Sequence, residues 1–244
     1  MKKFYYDLHI HSCLSPCADN DNTPGNIAGM ASLCGIDILA LTDHNSCKNC
    51  PAFFEAARNF GIVPIAGMEL TTAEDIHLLC LFEELEAALE FSDSVDKNRV
   101  RIKNRAEIFG EQLICDRSDN IIGFEEDLLP NATLLDLTAA DRLVKNYGGI
   151  CYPAHIDRQA NGIISVLGAM PESPVFDFAE YNLSKNIEDY TVKYGLSDKK
   201  TIVSSDAHYL TDFRDKESYF NLSCDDGNET EIRHELFKYL RGEK

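Results

Sequence analysis

Six of the seven histidines fall in short polar motifs that close apolar runs: DLHIHS at 7–12, LTDHNS at 41–46, His77, PAHIDR at 153–158 and SSDAHY at 204–209, with the acidic GMEL at 67–70 between them. A strand repeats every two residues, so Asp7, His9 and His11 are expected on one face and Leu8 and Ile10 on the other. Imidazoles mixed with carboxylates such as Glu69 and Asp206 are the donors that Zn, Mn or Fe prefer. The set is larger than the roughly four ligands that one tetrahedral ion takes, which points to more than one metal. Asp7 and Asp43 suit a supporting role, accepting the free N–H of a ligating imidazole and fixing its orientation.

Residues so far apart in sequence meet only if the elements between them bring one end of each run to a common rim. The apolar runs are Phe4–Leu8, Ile36–Leu41, Ile62–Ala66, Leu78–Phe82, Gly149–Ala154, Phe176–Tyr181 and Thr201–Ser204. Helical patterns alternate with them, as βα units around a parallel sheet require. Thr23-Pro24 with Gly35, and Cys50-Pro51 with Gly61, mark the start and end of two short helices. In a barrel of parallel strands the C-terminal ends share one rim, where active sites of such folds lie. Residues from about 83 to 131 break the rhythm and read as a partly helical insertion in a single domain spanning 1–244.

Forty-one acidic residues against 23 basic ones give a formal charge of −18. That balance repels polyanions at long range, so the expected partner is a small phosphorylated substrate and not long duplex nucleic acid. No apolar run approaches a membrane span and no apolar segment follows the opening lysines, which predicts a cytoplasmic protein without a membrane partner. Nine cysteines in such a chain are expected as reduced thiols, with Cys34, Cys80 and Cys151 as small core residues.

The ordered set HxH, TDH, GxE, His, AHxxR and SDAH resembles the PHP superfamily, the polymerase and histidinol phosphatase metal-dependent phosphoesterases, from residue 4 to about 212. The resemblance implies a distorted seven-stranded β/α barrel, similar to a TIM barrel, with two to three divalent ions (Mn, Fe or Zn). Carried across by motif, His9, His11 and Asp206 would bind a first metal, and Glu69 would bridge it to a second completed by His77 and His155. His44 and His208 would hold a third, joined by a residue from the loop after the first strand. Relatives place a His or Asp five or six residues after the second His, a distance at which this chain has Cys17, with Asp19 two residues beyond. Asp19 is the expected ligand because oxygen suits hard ions, whereas a Cys17 thiolate would suit Zn.

Arg158 occupies the position of a substrate-phosphate arginine, and its planar fork can hold two phosphoryl oxygens. The implied chemistry is attack of a metal-activated hydroxide on a phosphomonoester or phosphodiester of a nucleotide or short oligonucleotide. Glu69, Arg158 and His208 would be the catalytic groups, with His208 a candidate leaving-group acid. Tyr152, Phe176, Tyr181 and Tyr209 are aromatics available to stack on a base or to fill the core. Two alternatives remain open: an amidohydrolase-like enzyme, which would also begin with HxH, and a non-catalytic metal- or redox-sensing domain using the Cys47-Cys50 motif together with Cys13 and Cys17.

Overall fold

The computed structural model describes residues 1–224 and 228–243. In chain order the elements are β1 (Lys2–Asp7), α1 (Pro24–Leu33), β2 (Ile38–Leu41), α2 (Cys50–Asn59), β3 (Val63–Thr71), β4 (His77–Phe82), α3 (Leu85–Asp96), α4 (Ala106–Phe109), β5 (Leu113–Cys115), β6 (Ile121–Phe124), α5 (Leu137–Asn146), β7 (Ile150–Pro153), α6 (Ile163–Leu167), β8 (Phe178–Tyr181), α7 (Ile187–Tyr194), β9 (Lys200–Val203), β10 (Ser218–Leu222) and α8 (Glu229–Arg241). Among these residues no helix is long and apolar enough to cross a membrane.

The architecture is mixed α/β, with a curled six-stranded sheet in the order β10-β1-β2-β3-β4-β7 and a separate parallel pair, β8-β9. The large ladder thus has six strands, against the seven of the distorted barrel that the resemblance implies. The ends of the two sheets meet through an isolated bridge, Ile10 to Ala207, and through the Ile156 N–H donating to the Glu180 carbonyl at 2.8 Å.

Only β1-β2-β3 run parallel in the large sheet; β4 lies antiparallel to β3 and to β7. The reversal comes from a tight turn in which the Thr72 N–H donates to the Ile76 carbonyl at 2.9 Å and Asp75 takes φ +64°. Asp tolerates that left-handed conformation better than most non-glycine residues. His77 therefore begins its strand instead of ending it, and an antiparallel strand that starts at the rim still delivers its first residue there.

β3 is buried along its whole length, as expected of a strand covered on both faces. One face packs Leu41, Met68, Leu78 and Phe82 against the helical layer that includes Phe53, Phe91 and Val144. The other gathers Ile38, Ile65, Leu81, Tyr152, Phe178 and Ile202 onto Ile232, Leu236, Phe237 and Leu240 of α8. Burying each such large side chain contributes roughly 1.5–3 kcal/mol before chain entropy is subtracted. Gly67 has no alternative at the centre of β3: a Cβ there would stand 2.9 Å from the Cys80 carbonyl oxygen.

The helix signals act as their chemistry requires. The Thr23 side chain caps α1 by accepting from the Asn26 N–H, and Pro24 follows in the first turn. α2 starts with Pro51 in its first turn after Asn49, whose side chain is used elsewhere: it donates to Ser12 Oγ at 2.9 Å and accepts from the Cys115 N–H at 3.0 Å.

Candidate metal centre

The chain leaves β1 at Asp7, and the next four residues alternate between core and rim. Leu8 and Ile10 are fully buried apolar residues, while His9 and His11 turn their Nε2 atoms towards each other at 3.1 Å. Each ring is held from behind. His9 Nδ1 lies 2.9 Å from Glu180 Oε2, and His11 Nδ1 lies 2.9 Å from Ser15 Oγ, which in turn donates to Asp43 Oδ1 at 2.7 Å. A carboxylate or hydroxyl acceptor at Nδ1 fixes the tautomer that leaves Nε2 free as a donor atom.

Glu69, near the end of β3 and 1% exposed, is the hub. Its carboxylate lies 2.7 Å from His77 Nδ1, 2.9 Å from His155 Nε2, 3.0 Å from His44 Nδ1, 3.3 Å from His11 Nε2 and 3.4 Å from His9 Nε2. Asp206 Oδ1 completes the first cluster, 3.2 Å from His9 Nε2 and 3.3 Å from His11 Nε2. His155 and Asp206 have φ of +25° and +54°, left-handed values that cost of order 1–3 kcal/mol and persist where surrounding structure holds them.

These electrostatics are those of a crowded, dry pocket. Burial alone would lower the histidine pKa values, but Glu180, Asp206 and Glu69 outweigh it at His9 and raise its pKa well above 6.5. His11 is raised against the same burial penalty by Asp206 and Glu69, and His44 by Cys17 and Glu69. Burial would push Glu69 upward, yet His77, His9 and His44 hold it well below the usual carboxylate range. At His77 burial prevails and brings the ring down to about 4.

The donor atoms fit divalent ions. Three groups of donor atoms each lie within 4.8 Å of one another: His9, His11 and Asp206; His44, Glu69 and His77; and His11, His44 and His208. Two buried atoms among them lack hydrogen-bond partners, His44 Nδ1 and Asp206 Oδ1. Polar atoms so enclosed and so seldom left unpaired are the atoms expected of a ligand shell.

In the loop after β1, Asp19 and Cys17 are placed differently. Asp19 Oδ1 accepts from the Asp21 N–H at 2.8 Å, within its own turn, while its backbone N–H donates to the His208 carbonyl at 2.9 Å. Cys17 instead shares a cavity with His208, Asp206 and Arg158. Cys17 is exposed on the cavity wall, and the neighbouring His44 and His208 draw its thiol from 9.0 down to about 5, into the thiolate range.

Asp7 also departs from its expected partner: its carboxylate accepts from the backbone N–H groups of His9 at 3.2 Å and Ser205 at 3.1 Å, and from no imidazole. Burial lifts it to about 6. Asp43 reaches His11 only through Ser15, and it also accepts from the Ser12 N–H at 2.8 Å and the Ser12 hydroxyl at 2.7 Å. Two participants escaped the sequence reading, Ser15 and Glu180. The signal for Glu180 was its place near the end of the run Phe176–Tyr181, the place that Glu69 has on β3.

Arg158 reaches the rim after a short turn, its backbone N–H donating to the His155 carbonyl at 2.8 Å, and its Nη1 contacts Asp206 Oδ2. It lines both adjoining cavities, an inner one of about 100 Å³ with Glu69, His77 and His155 and an outer one of about 570 Å³ with Asn182, Tyr209 and Arg214. Among the described residues no lysine lines either cavity. Tyr209 is half exposed at the outer cavity, whereas Tyr152, Phe176 and Tyr181 are core residues.

The Cys47 and Cys50 thiols are buried in the core. Cys47 Sγ donates to the Gly67 carbonyl at 3.1 Å, and its neighbour Cys50 together with burial raises its pKa well above 9.0. Such a thiol at Cys47 resists ionisation, which metal binding and redox exchange both need. Cys13 lies apart from them, its Sγ 3.5 Å from Cys115 Sγ.

Comparison with known proteins gives the relationships. The PHP domain family matches residues 7–160, more than half of the 244. The lesion-specific endonuclease Q of Pyrococcus furiosus superposes with a TM-score of 0.70 at 18% identity, covering 99% of this chain and 56% of that one. Endonuclease Q in complex with a 27-mer duplex carrying an abasic lesion at its active site superposes at 0.68 and 17% identity, covering 99% of this chain and 57% of that one. At these identities the likeness establishes a shared fold. An error-prone DNA polymerase of Symbiobacterium thermophilum is 38% identical over 77 residues, which cover 32% of this chain and 7% of the polymerase. The chain thus spans little more than half of the endonuclease and a small part of the polymerase.

The exclusion of duplex nucleic acid, and with it the restriction to a small substrate, is overturned by the endonuclease Q complex, in which a chain of this fold holds a 27-mer duplex. Net charge describes the far field. At the rim Arg158 and Arg214 stand beside Asp206 and Asp212, so the local field there is not that of the whole surface.

Proposed function

We propose a function from one premise: this chain belongs to the PHP domain family. It is a metal-dependent phosphoesterase, and its substrate is a phosphodiester in nucleic acid, cleaved at a damaged position. The observation that carries the hydrolytic reading is the convergence of six imidazoles, Glu69 and Asp206 beneath a phosphate-sized cavity with Arg158 at its lip. The nucleic-acid reading draws support from the endonuclease Q and polymerase relationships.

His9, His11 and Asp206 would hold one ion, His77 and His155 a second, and His44, His208 and Cys17 a third, with Glu69 between the first two. When bound, such ions supply Lewis acidity to a phosphoryl oxygen and acidify water at neutral pH. Glu180 and the Ser15–Asp43 pair keep Nε2 of His9 and His11 pointed inwards. Arg158 meets the charge that grows on the phosphoryl oxygens during displacement. Tyr209 and Asn182 line the space that the nucleoside attached to that phosphate would enter.

We read the chain as one domain in which β1, β2, β3, β4, β7, β8 and β9 form a distorted seven-strand ring with β10 added beside β1, interrupted by an insertion at about 83–131. Bonds from the Leu113 N–H to the Cys13 carbonyl, 2.8 Å, and from Asn45 Nδ2 to the Leu129 carbonyl, 2.7 Å, dock that insertion on the loops that carry ligands.

Hydrolysis of bis(p-nitrophenyl) phosphate before and after chelation tests the reading. Activity is expected to vanish with EDTA and return with Mn or Zn; turnover that survives complete demetallation would refute it.

A further inference from the structure

We propose that Glu180 is a positioning residue that couples two of the metal sites, an inference that rests on the phosphoesterase reading above. One oxygen of its carboxylate, Oε2, serves both: it lies 2.9 Å from His9 Nδ1 and accepts from the His155 backbone N–H, also at 2.9 Å. His9 belongs to the cluster with Asp206, and His155 to the cluster around Glu69 and His77. The side chain is 1% exposed, so water does not compete for these bonds. Its other oxygen, Oε1, is buried without a partner.

The two bonds act differently. At His9 the carboxylate accepts from Nδ1–H, which keeps the proton on Nδ1 and leaves Nε2, on the side of Asp206 and Glu69, free and more basic as a ligand atom. At His155 it holds a backbone whose φ is +25°, a conformation that relaxes unless something fixes it. From that backbone position the His155 Nε2 lies 2.9 Å from Glu69 Oε1. Glu180 itself stands on β8, in the small sheet, so it also carries the spacing between the sheets into the site.

The test uses the full chain loaded with Co(II) as a spectroscopic probe and compares wild type with Glu180→Gln and Glu180→Leu. Cobalt affinity from chelator competition should fall about 10- to 100-fold in Glu180→Leu, as losing such an outer partner does elsewhere. Glu180→Gln, whose amide oxygen can still accept from both N–H groups, should recover most of it. The paramagnetically shifted, exchangeable Nδ1 proton of His9 should be present in wild type and lost or displaced in Glu180→Leu, a change that a purely structural role would not produce. Wild-type cobalt affinity with an unshifted Nδ1 resonance in Glu180→Leu would overturn the proposal. A Glu180→Leu chain that unfolds leaves Glu180→Gln to decide: with a neutral acceptor in place of the carboxylate the Nδ1 resonance should move while most of the cobalt affinity is kept, and a resonance and an affinity both identical to wild type would refute the proposal. A wild-type chain that binds no cobalt would instead overturn the phosphoesterase reading, and the two failures are distinct.

Discussion

Replacing Arg158 by alanine should slow turnover about 100-fold with little loss of metal. Its backbone stays in place without the side chain, because the loop is fixed by Asp157, which accepts from the Asn182 N–H at 2.8 Å, the Leu183 N–H at 3.1 Å and Asn186 Nδ2 at 2.8 Å. A full charge about 4 Å from the developing phosphoryl charge is worth roughly 4 kcal/mol at an effective dielectric near 20. The side chain is 46% exposed, so screening brings the figure towards about 2.7 kcal/mol, the lower end of what one lost donor to a transition-state oxyanion costs. That corresponds to about 100-fold in kcat. Arg158→Lys keeps the charge without the fork and should recover part of the loss. Steady-state hydrolysis of bis(p-nitrophenyl) phosphate, with elemental analysis of the same samples, reads both quantities. An Arg158→Ala enzyme within about threefold of wild type, under ~0.7 kcal/mol, would refute the assigned role.

Glu69→Gln removes the carboxylate shared by five imidazoles, and elemental analysis should show at least one bound equivalent lost. Cys17→Ser should lower metal content while Asp19→Asn leaves it unchanged, and equal losses in the two variants would contradict the placement of the thiol. The metal-free protein should lose thermal stability as pH rises above about 6.5, the ordinary histidine value. His9, His11 and His44 have raised folded values, so the stability they confer is complete below the unfolded value and disappears as pH passes the folded ones. Cys17, drawn from 9.0 to about 5, opposes this as a single group, and His77, at about 4, has finished titrating. The net slope is about 1.4 kcal/mol per pH unit for each unbalanced proton, read from melting curves in chelator at pH 6.5 and 8.5. Metal added near pH 7 should release those imidazole protons into a weakly buffered indicator solution.

The metal-binding motifs were legible because each is short, chemically distinctive and placed at the end of an apolar run, so local sequence alone locates its side chains at the rim. Glu180 was not, since a lone glutamate in FAEY has no neighbouring imidazole to mark it, and its partners His9 and His155 come from other parts of the chain. The choice between Cys17 and Asp19 depends on a turn, where the Ala18 N–H donates to the Ser15 carbonyl at 2.9 Å and the Asn22 N–H to the Asp19 carbonyl at 3.0 Å. Two residues of phase in such a loop decide which side chain faces His208. The antiparallel course of β4 was hidden because TTAED contains neither Gly nor Pro, and the left-handed residue in its turn is Asp75. Charge misled about duplex nucleic acid because −18 is a property of the whole surface, while a phosphodiester meets only the rim.

The most direct test is incubation of the metal-loaded chain with an end-labelled duplex carrying one abasic position, beside an undamaged duplex of the same sequence. Scission at the lesion that requires metal and is lost in Glu69→Gln is the predicted result. Full metal occupancy with neither duplex cut would contradict the proposed substrate, and failure on bis(p-nitrophenyl) phosphate as well would contradict phosphoester hydrolysis itself.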